Sequence, residues 1–352
     1  GMYVDDFVYF STCPQSELWF ETTLESHLKV DFMGRVTWFL GIYFEWTVTS
    51  DAVGVHLSQE GYISELLRQN QMEQCNGTAT PYRSGLVIDR LPTPAPGSLP
   101  DPALTKEYQK LMGSYVWLNT STRPDLCVVL KLLTQFNAHP LPAHLAAARY
   151  VLQYLQQSRT RGISYSSTGS NLSGSISYPC TDMATTGYTD ANWGPQDAST
   201  PSPTDTVTID ECRSLHGAIV TRMGGAISWQ VERESKVSRS TCEAEIRAAD
   251  TGCKLIQALR HVLEDLSLSD TSVSTPVFND NQGTVDWSKS FANRGLRHVN
   301  IRNMAVRESQ QSGEINIIHI PGVNNPSDLL TKEHKDTAHF TLLCNVVVPF
   351  RP

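Results

Sequence analysis

The run Gly187-Tyr188-Thr189-Asp190-Ala191-Asn192-Trp193 decides how this chain is read. Small and apolar residues lead into one carboxylate and then into a turn-rich segment, which predicts a strand from Thr185 that stops at Asp190. A single Asp at a strand end is most simply a turn former. Three further acids shift the weighting, because each stands at the edge of a predictable element. Glu245 lies near the start of a long helix, Asp280 at a strand end and Asp328 at a helix start. Any one alone reads as a solvated surface charge. Together, in this order, they read as a metal-binding carboxylate set centred on Asp190.

The elements around that stretch follow from periodicity and turn chemistry. Leu215 to Arg222 and Ala226 to Val231 are β-rich, with Gly224-Gly225 between them to supply the positive φ of a tight hairpin. Ser240 or Thr241 caps a helix reaching about Leu266. Thr275 to Asp280 is a fourth strand, Asn281 opens a short helix, Arg297 to Gln311 is another helix and Ile315 to Ile320 a fifth strand. Pro326-Ser327-Asp328 opens the last helix. Three antiparallel strands, then helices alternating with two more strands, is the order of the ribonuclease H fold.

Upstream, Tyr3 to Phe10 predicts a hairpin with Asp5 and Asp6 at its tip, most simply a polar turn. An amphipathic helix over Ser16 to Lys29, strands over Trp38 to Trp46 and Val53 to Leu57, and a helix capped by Ser58 and reaching about Gln69 come next. Three helical stretches, Lys106 to Asn119, Asp125 to Phe136 and Ala143 to Gln157, form a compact subdomain. Segments rich in Pro, Gly, Ser and Thr, Gly77 to Pro102 and Ser166 to Thr186, bound it.

Composition sets limits. At 352 residues there is room for two domains and a small third module. The eight cysteines are scattered without a C-x-x-C pair, which argues against a zinc site or a disulfide framework. No apolar run approaches the roughly 20 residues of a membrane helix, and no leader pattern stands at the start, so no membrane association and an intracellular location, a cytoplasmic particle or the nucleus, are expected. The net charge of −8 gives no global support to nucleic-acid binding, which must then come from a local basic patch.

Several motifs resemble the copia-type retrotransposon polyproteins. Tyr3-Val4-Asp5-Asp6 is similar to the catalytic turn of their reverse transcriptases, and Phe39-Leu40-Gly41-Ile42, Leu57-Ser58-Gln59-Glu60-Gly61-Tyr62 and Thr122-Arg123-Pro124-Asp125 resemble the segments that follow it. The Gly187 to Trp193 run resembles the family's RNase H opening motif. Ser240-Thr241-Cys242-Glu243-Ala244-Glu245, Asp280-Asn281-Gln282, Arg297-His298-Val299-Asn300-Ile301-Arg302 and Asn325 to Lys332 resemble its later motifs, and the order matches across nearly the whole chain.

The resemblance implies an α+β chain in three parts: a truncated reverse-transcriptase palm over 1–80, a helical thumb or connection over 81–160, and an RNase H-like domain with a five-stranded mixed sheet over 161–352. It implies hydrolysis of RNA in RNA–DNA hybrids, with the hybrid and the rest of the polyprotein as partners. Two Mg²⁺ ions, with Mn²⁺ as the alternative, would be held by Asp190, Glu245, Asp280 and Asp328. It places the helix ligand on Glu245 rather than Glu243 and makes Asp190 the residue that touches both ions. Arg297 and Arg302 would grip phosphate, and His298 would assist turnover. Asp5 and Asp6 are a polymerase remnant without the family's upstream acid, so no DNA synthesis is expected from this chain alone. The rival expectations are an inactive relic and a module that binds hybrids, or assembles the polyprotein, without turnover.

Overall fold

The computed structural model describes residues 2–11, 13–83, 91–168, 184–192, 213–268, 272–290, 304–334 and 336–351. The chain opens on a minimal hairpin, β1 (Met2–Tyr3) against β2 (Asp6–Phe7), in the register Met2↔Phe7 and Tyr3↔Asp6. Val4 takes φ 54 in its turn, so Val4 and Asp5 make the tip and Asp6 sits in the strand. Helix α1 (Pro14–His27) follows and buries none of its residues. Strands β3 (Trp38–Phe39), β4 (Ile42–Val48) and β5 (Val53–Ser58) lead into α2 (Glu60–Gln69), whose Ile63, Leu66 and Leu67 face inward. The expected Ser58 cap is not made. Ser58 is instead the last residue of β5, paired with Tyr43, and Gln59 takes the cap position.

The three expected helices are α3 (Pro102–Ser121), α4 (Cys127–Leu133) and α5 (Pro142–Gln157). Asp101 caps α3 by accepting from the amides of Ala103 and Leu104. Tyr108 and Tyr115 are fully buried, and each hydroxyl finds a main-chain acceptor, Leu133 O at 2.7 Å and Ala148 O at 2.8 Å. Beneath them Arg123 and Asp125 pair at 2.7 Å with both side chains fully buried, and Tyr154 and Ser158 take up their remaining hydrogen-bonding capacity. Strand β6 (Gly162–Ser166) then returns to pair antiparallel with β5, completing a sheet in the order β3-β4-β5-β6.

The second sheet holds β7 (Thr186–Asn192), β8 (Leu215–Arg222) and β9 (Gly225–Arg233) as an antiparallel meander. Met223 at φ 53 and Gly224 at φ 78 make the β8–β9 turn, and Gly225 is already in the strand, so the expected Gly-Gly turn is shifted back by one residue. Helix α6 (Thr241–Asp265) starts where Ser240 Oγ accepts from the Glu243 amide. Strand β10 (Thr275–Asn279), helices α7 (Gln282–Lys289) and α8 (Met304–Gln311), strand β11 (Ile315–His319), and helices α9 (Asp328–Thr331) and α10 (Thr337–Val347) complete the chain. The order β11-β10-β7-β8-β9, with β10 parallel to both β7 and β11, is the mixed five-stranded sheet that the sequence predicts.

Each face of this sheet has its own core. On one side α6, α7 and α8 bury Ile246, Cys253, Ile256, Val285 and Val306 against Val220, Val277 and Ile317. Helix α6 lies close on β7, because a Cβ at Gly252 would stand 2.5 Å from Thr189 Cγ2. On the other side Ile219, Ala226, Leu330 and Phe340 join the same apolar cluster as Leu118, Leu133 and Leu155. The helical subdomain and the second sheet therefore share one core. Trp229 Nε1 donating to Asn119 O at 3.0 Å and Arg161 donating to Val348 O at 2.8 Å satisfy polar groups along that seam.

Candidate metal centre

Strand register brings the acids together. Asp190 lies within β7 opposite Gly217 of β8, and the strand runs two residues past it rather than ending there. The parallel pairing of β10 with β7 sets Asn279 beside Thr189, so the next residues, Asp280 and Asp190, emerge side by side. Glu245 comes down from the first turns of α6, which crosses β7. Oxygens of Asp190, Glu245 and Asp280 all lie within 4.8 Å of one another. Asp190 and Glu245 are buried and Asp280 is half-buried.

Asp328 approaches from the opposite sheet face. The glycine at 217 lets α9 lie close on β8, because a Cβ there would meet Leu330 Cβ at 2.9 Å. Asp328 does not join the three-acid group directly. It is linked through Lys332, whose Nζ lies 2.8 Å from Asp328 Oδ1 and 3.0 Å from Asp190 Oδ1. Thr331 Oγ1 donates to the other Asp190 oxygen. Glu243 points elsewhere, paired with Arg247 at 2.9 Å and accepting from the Arg239 amide.

Lys332 and Thr331, which close the Asn325 to Lys332 motif, and Asn279 are site residues to which the sequence reading gave no role. Asn279 is fully buried, and its Nδ2 donates to Glu245 Oε2 at 2.9 Å and to Thr189 Oγ1 at 3.1 Å, while its Oδ1 accepts from the Asn281 amide. Asn325 Nδ2 donates to Thr189 O at 2.9 Å, tying the loop before α9 to the same strand. The available signals were weak: a Lys four residues after Asp328, and an Asn directly before Asp280. Arg297, His298 and Arg302, like Trp193, lie outside the described residues.

The electrostatics are those of acids crowded without enough positive charge. Burial, reinforced by the charges of Asp190 and Asp280, pushes Glu245 up to about 9. Burial and then Asp190 push Asp328 up to about 8 against the opposing pull of Lys332, and the same two causes raise Asp280. Burial works against the Lys332 ammonium, but Asp190 and Asp328 outweigh it and keep it charged. An all-oxygen, mutually repelling carboxylate set is what a hard divalent cation fits, and a soft thiophilic ion is poorly matched to it.

No protein-family model matches the chain. Among curated proteins it is 30% identical over 278 residues to the retrovirus-related Pol polyprotein from transposon TNT 1-94 of Nicotiana tabacum, covering 78% of this chain and 19% of that one. It is 27% identical over 338 residues to the corresponding polyprotein from transposon RE1 of Arabidopsis thaliana, covering 96% of this chain and 21% of that one. This chain is a homologue of copia-type Pol polyproteins. It spans about a fifth of the length of these Pol relatives. Among solved structures, RNase H1 from Halobacterium salinarum is 13% identical, covering 42% of this chain and 94% of that chain, with a TM-score of 0.29. LC11-RNase H1 in complex with an RNA/DNA hybrid is 16% identical, covering 44% and 98%, again with a TM-score of 0.29. The RNase H-like fold of the chain rests on its strand order and register.

The other acidic turn of this chain has different surroundings. Asp5 and Asp6 are exposed. They join no group of three potential metal ligands among the described residues.

Proposed function

We propose that this Pol segment is a divalent-metal-dependent ribonuclease acting on the RNA strand of RNA–DNA hybrids, with Asp190, Glu245, Asp280 and Asp328 as its metal ligands. The observation that carries the reading is the convergence of Asp190, Glu245 and Asp280 within 4.8 Å from a strand, a helix and a neighbouring strand end. The donor set suits two Mg²⁺ or Mn²⁺ ions sharing Asp190. When bound, such ions supply the charge that acidifies an attacking water and stabilises the leaving oxygen of a phosphodiester.

The chain's own residues do the positioning. Asn279 fixes one Glu245 oxygen by donating to it, and Thr331 fixes one Asp190 oxygen. Asp280 is half-buried and the Lys332 side chain is 30% exposed, so substrate approaches from that side. Specificity for a hybrid would come from contacts to 2′-hydroxyls and groove shape. Arg297 and Arg302 would hold phosphate and His298 would speed product release, as proposals from motif alone.

Residues 1–80 are proposed as a palm remnant and 81–160 as a thumb or connection, and the pairing of β6 with β5 supports moving the start of the RNase H-like unit beyond Ser166. With Asp5 and Asp6 exposed and in no group of three potential metal ligands among the described residues, no template-dependent DNA synthesis is proposed for this chain. The test is cleavage of an RNA–DNA hybrid in Mg²⁺ by the 352-residue chain against Asp190→Asn. Cleavage that Asp190→Asn abolishes supports the reading. Hybrid binding without cleavage in the unaltered chain would replace it with a binding module.

A further inference from the structure

The two halves of the carboxylate set are not equivalent. Asp190, Glu245 and Asp280 converge directly, whereas the Asp190–Asp328 half already contains a cation, the Lys332 ammonium, at 3.0 and 2.8 Å from one oxygen of each. Lys332 is held there by its own turn, since its amide donates to Asp328 O at 3.0 Å at the end of α9. Its side chain is 30% exposed, so the ammonium can swing into water without opening a cavity.

We propose that Lys332 is a resident counter-ion occupying one of two cation positions, so that the centre takes one divalent ion with Lys332 in place and a second only when Lys332 withdraws. This rests on the metal-centre reading proposed above. Charge balance supports it. With all four carboxylates ionised, one divalent ion plus the ammonium leaves a single negative charge in the cluster. A second divalent ion beside an unmoved ammonium would make the cluster net positive and set two cations against each other in a buried pocket, where like charges repel far more strongly than in water. Geometry points the same way. The ammonium already spans Asp190 Oδ1 and Asp328 Oδ1 at 3.0 and 2.8 Å, the oxygens that a second ion held by those two carboxylates would compete for. Lys332 is therefore a positioning residue that sets the order and spacing of the two binding events.

Calorimetric titration of the full chain with MgCl₂, without nucleic acid, tests this in the unaltered protein, Lys332→Met and Lys332→Arg. The unaltered chain and Lys332→Arg should bind one ion, with a second appearing only at much higher concentration. In Lys332→Met the second ion should bind about tenfold tighter or more. Equal second-ion affinity in the unaltered chain and Lys332→Met overturns the proposal and leaves the metal-centre reading standing. Absence of binding heat and of any Mg²⁺-dependent rise in melting temperature in all three overturns that reading, and the proposal with it. If Lys332→Met is unfolded without metal, its recovery of a cooperative transition in Mg²⁺ supports the proposal, and failure to recover overturns it.

Discussion

The chain carries an exposed acidic turn at Asp5-Asp6 and a buried acidic cluster at Asp190, and their surroundings differ. Asp5 and Asp6 stand on a hairpin with two-residue strands, beside a helix that buries nothing. Around them Val4 is 81% and Trp19 68% exposed. Asp190 is fully buried, flanked by strands paired on both sides and crossed by α6. The first pair of acids is exposed to solvent. The second set is held in a low-dielectric place where its charges repel, and a cation relieves that cost. The carboxylates of the second set are thus crowded by the packing that forces them together, and a sequence motif marks only where that packing is possible.

That contrast can be broken most sharply by substitution. Asp190→Asn should reduce hybrid cleavage by about 10³-fold or more, roughly 4 kcal/mol, while Asp5→Asn and Asp6→Asn should leave the rate unchanged. Parallel cleavage assays decide it, and a loss in the Asp5 variant would mean that the two centres act together.

Next in size is Asn279→Ala. It removes the donor that fixes Glu245 and leaves Thr189 Oγ1 and O without that partner. Mg²⁺ affinity should fall about 10- to 100-fold and stability by about 1–3 kcal/mol, read by calorimetry and urea unfolding.

The pH dependence sharpens the comparison further. Glu245 and Asp328 bind protons more tightly in the folded state, at about 9 and about 8, than their ordinary values of 4.5 and 3.8. The stability linked to them is therefore fully present below pH 4 and is lost as pH rises through 8 to 9. Melting temperatures in a chelator should fall across that window, and Mg²⁺ should flatten the profile by displacing the protons. A chelated protein equally stable at pH 5 and pH 9 would contradict the burial argument.

The smallest effect tests the seam between the helical subdomain and the second sheet. Trp229→Phe deletes the hydrogen bond to Asn119 O and should cost about 1 kcal/mol. Thermal unfolding should remain a single transition if the shared core couples the two parts.

Much of this was legible in order and spacing. Asp280 and Glu245 could be placed because Thr275 to Asp280 reads as a strand, which the fold forms over Thr275–Asn279, and Ser240 reads as a cap, which the fold keeps. Strand β6 was not legible, since Gly162-Ile163-Ser164-Tyr165-Ser166 beside a Ser/Gly-rich stretch becomes a strand only because β5 offers an edge. The end of β7 was misjudged for the same reason. Pairing of Ala191 with His216 and of Asn192 with Leu215 carries the strand past the acid. Met223 in a positive-φ turn was likewise invisible to turn propensity, because the register of β8 with β9 imposes it.

By itself the sequence determined which elements exist and which acids stand at their edges, because capping, periodicity and turn chemistry are local. Only the tertiary structure decided that Asp190, Glu245 and Asp280 meet, that Asp328 enters from the other face of the sheet, and that Lys332 lies between it and Asp190. Those relations depend on parallel register across long sequence separations, on the close approach that Gly217 and Gly252 permit, and on burial that raises Glu245, Asp280 and Asp328 above the ordinary carboxylate range.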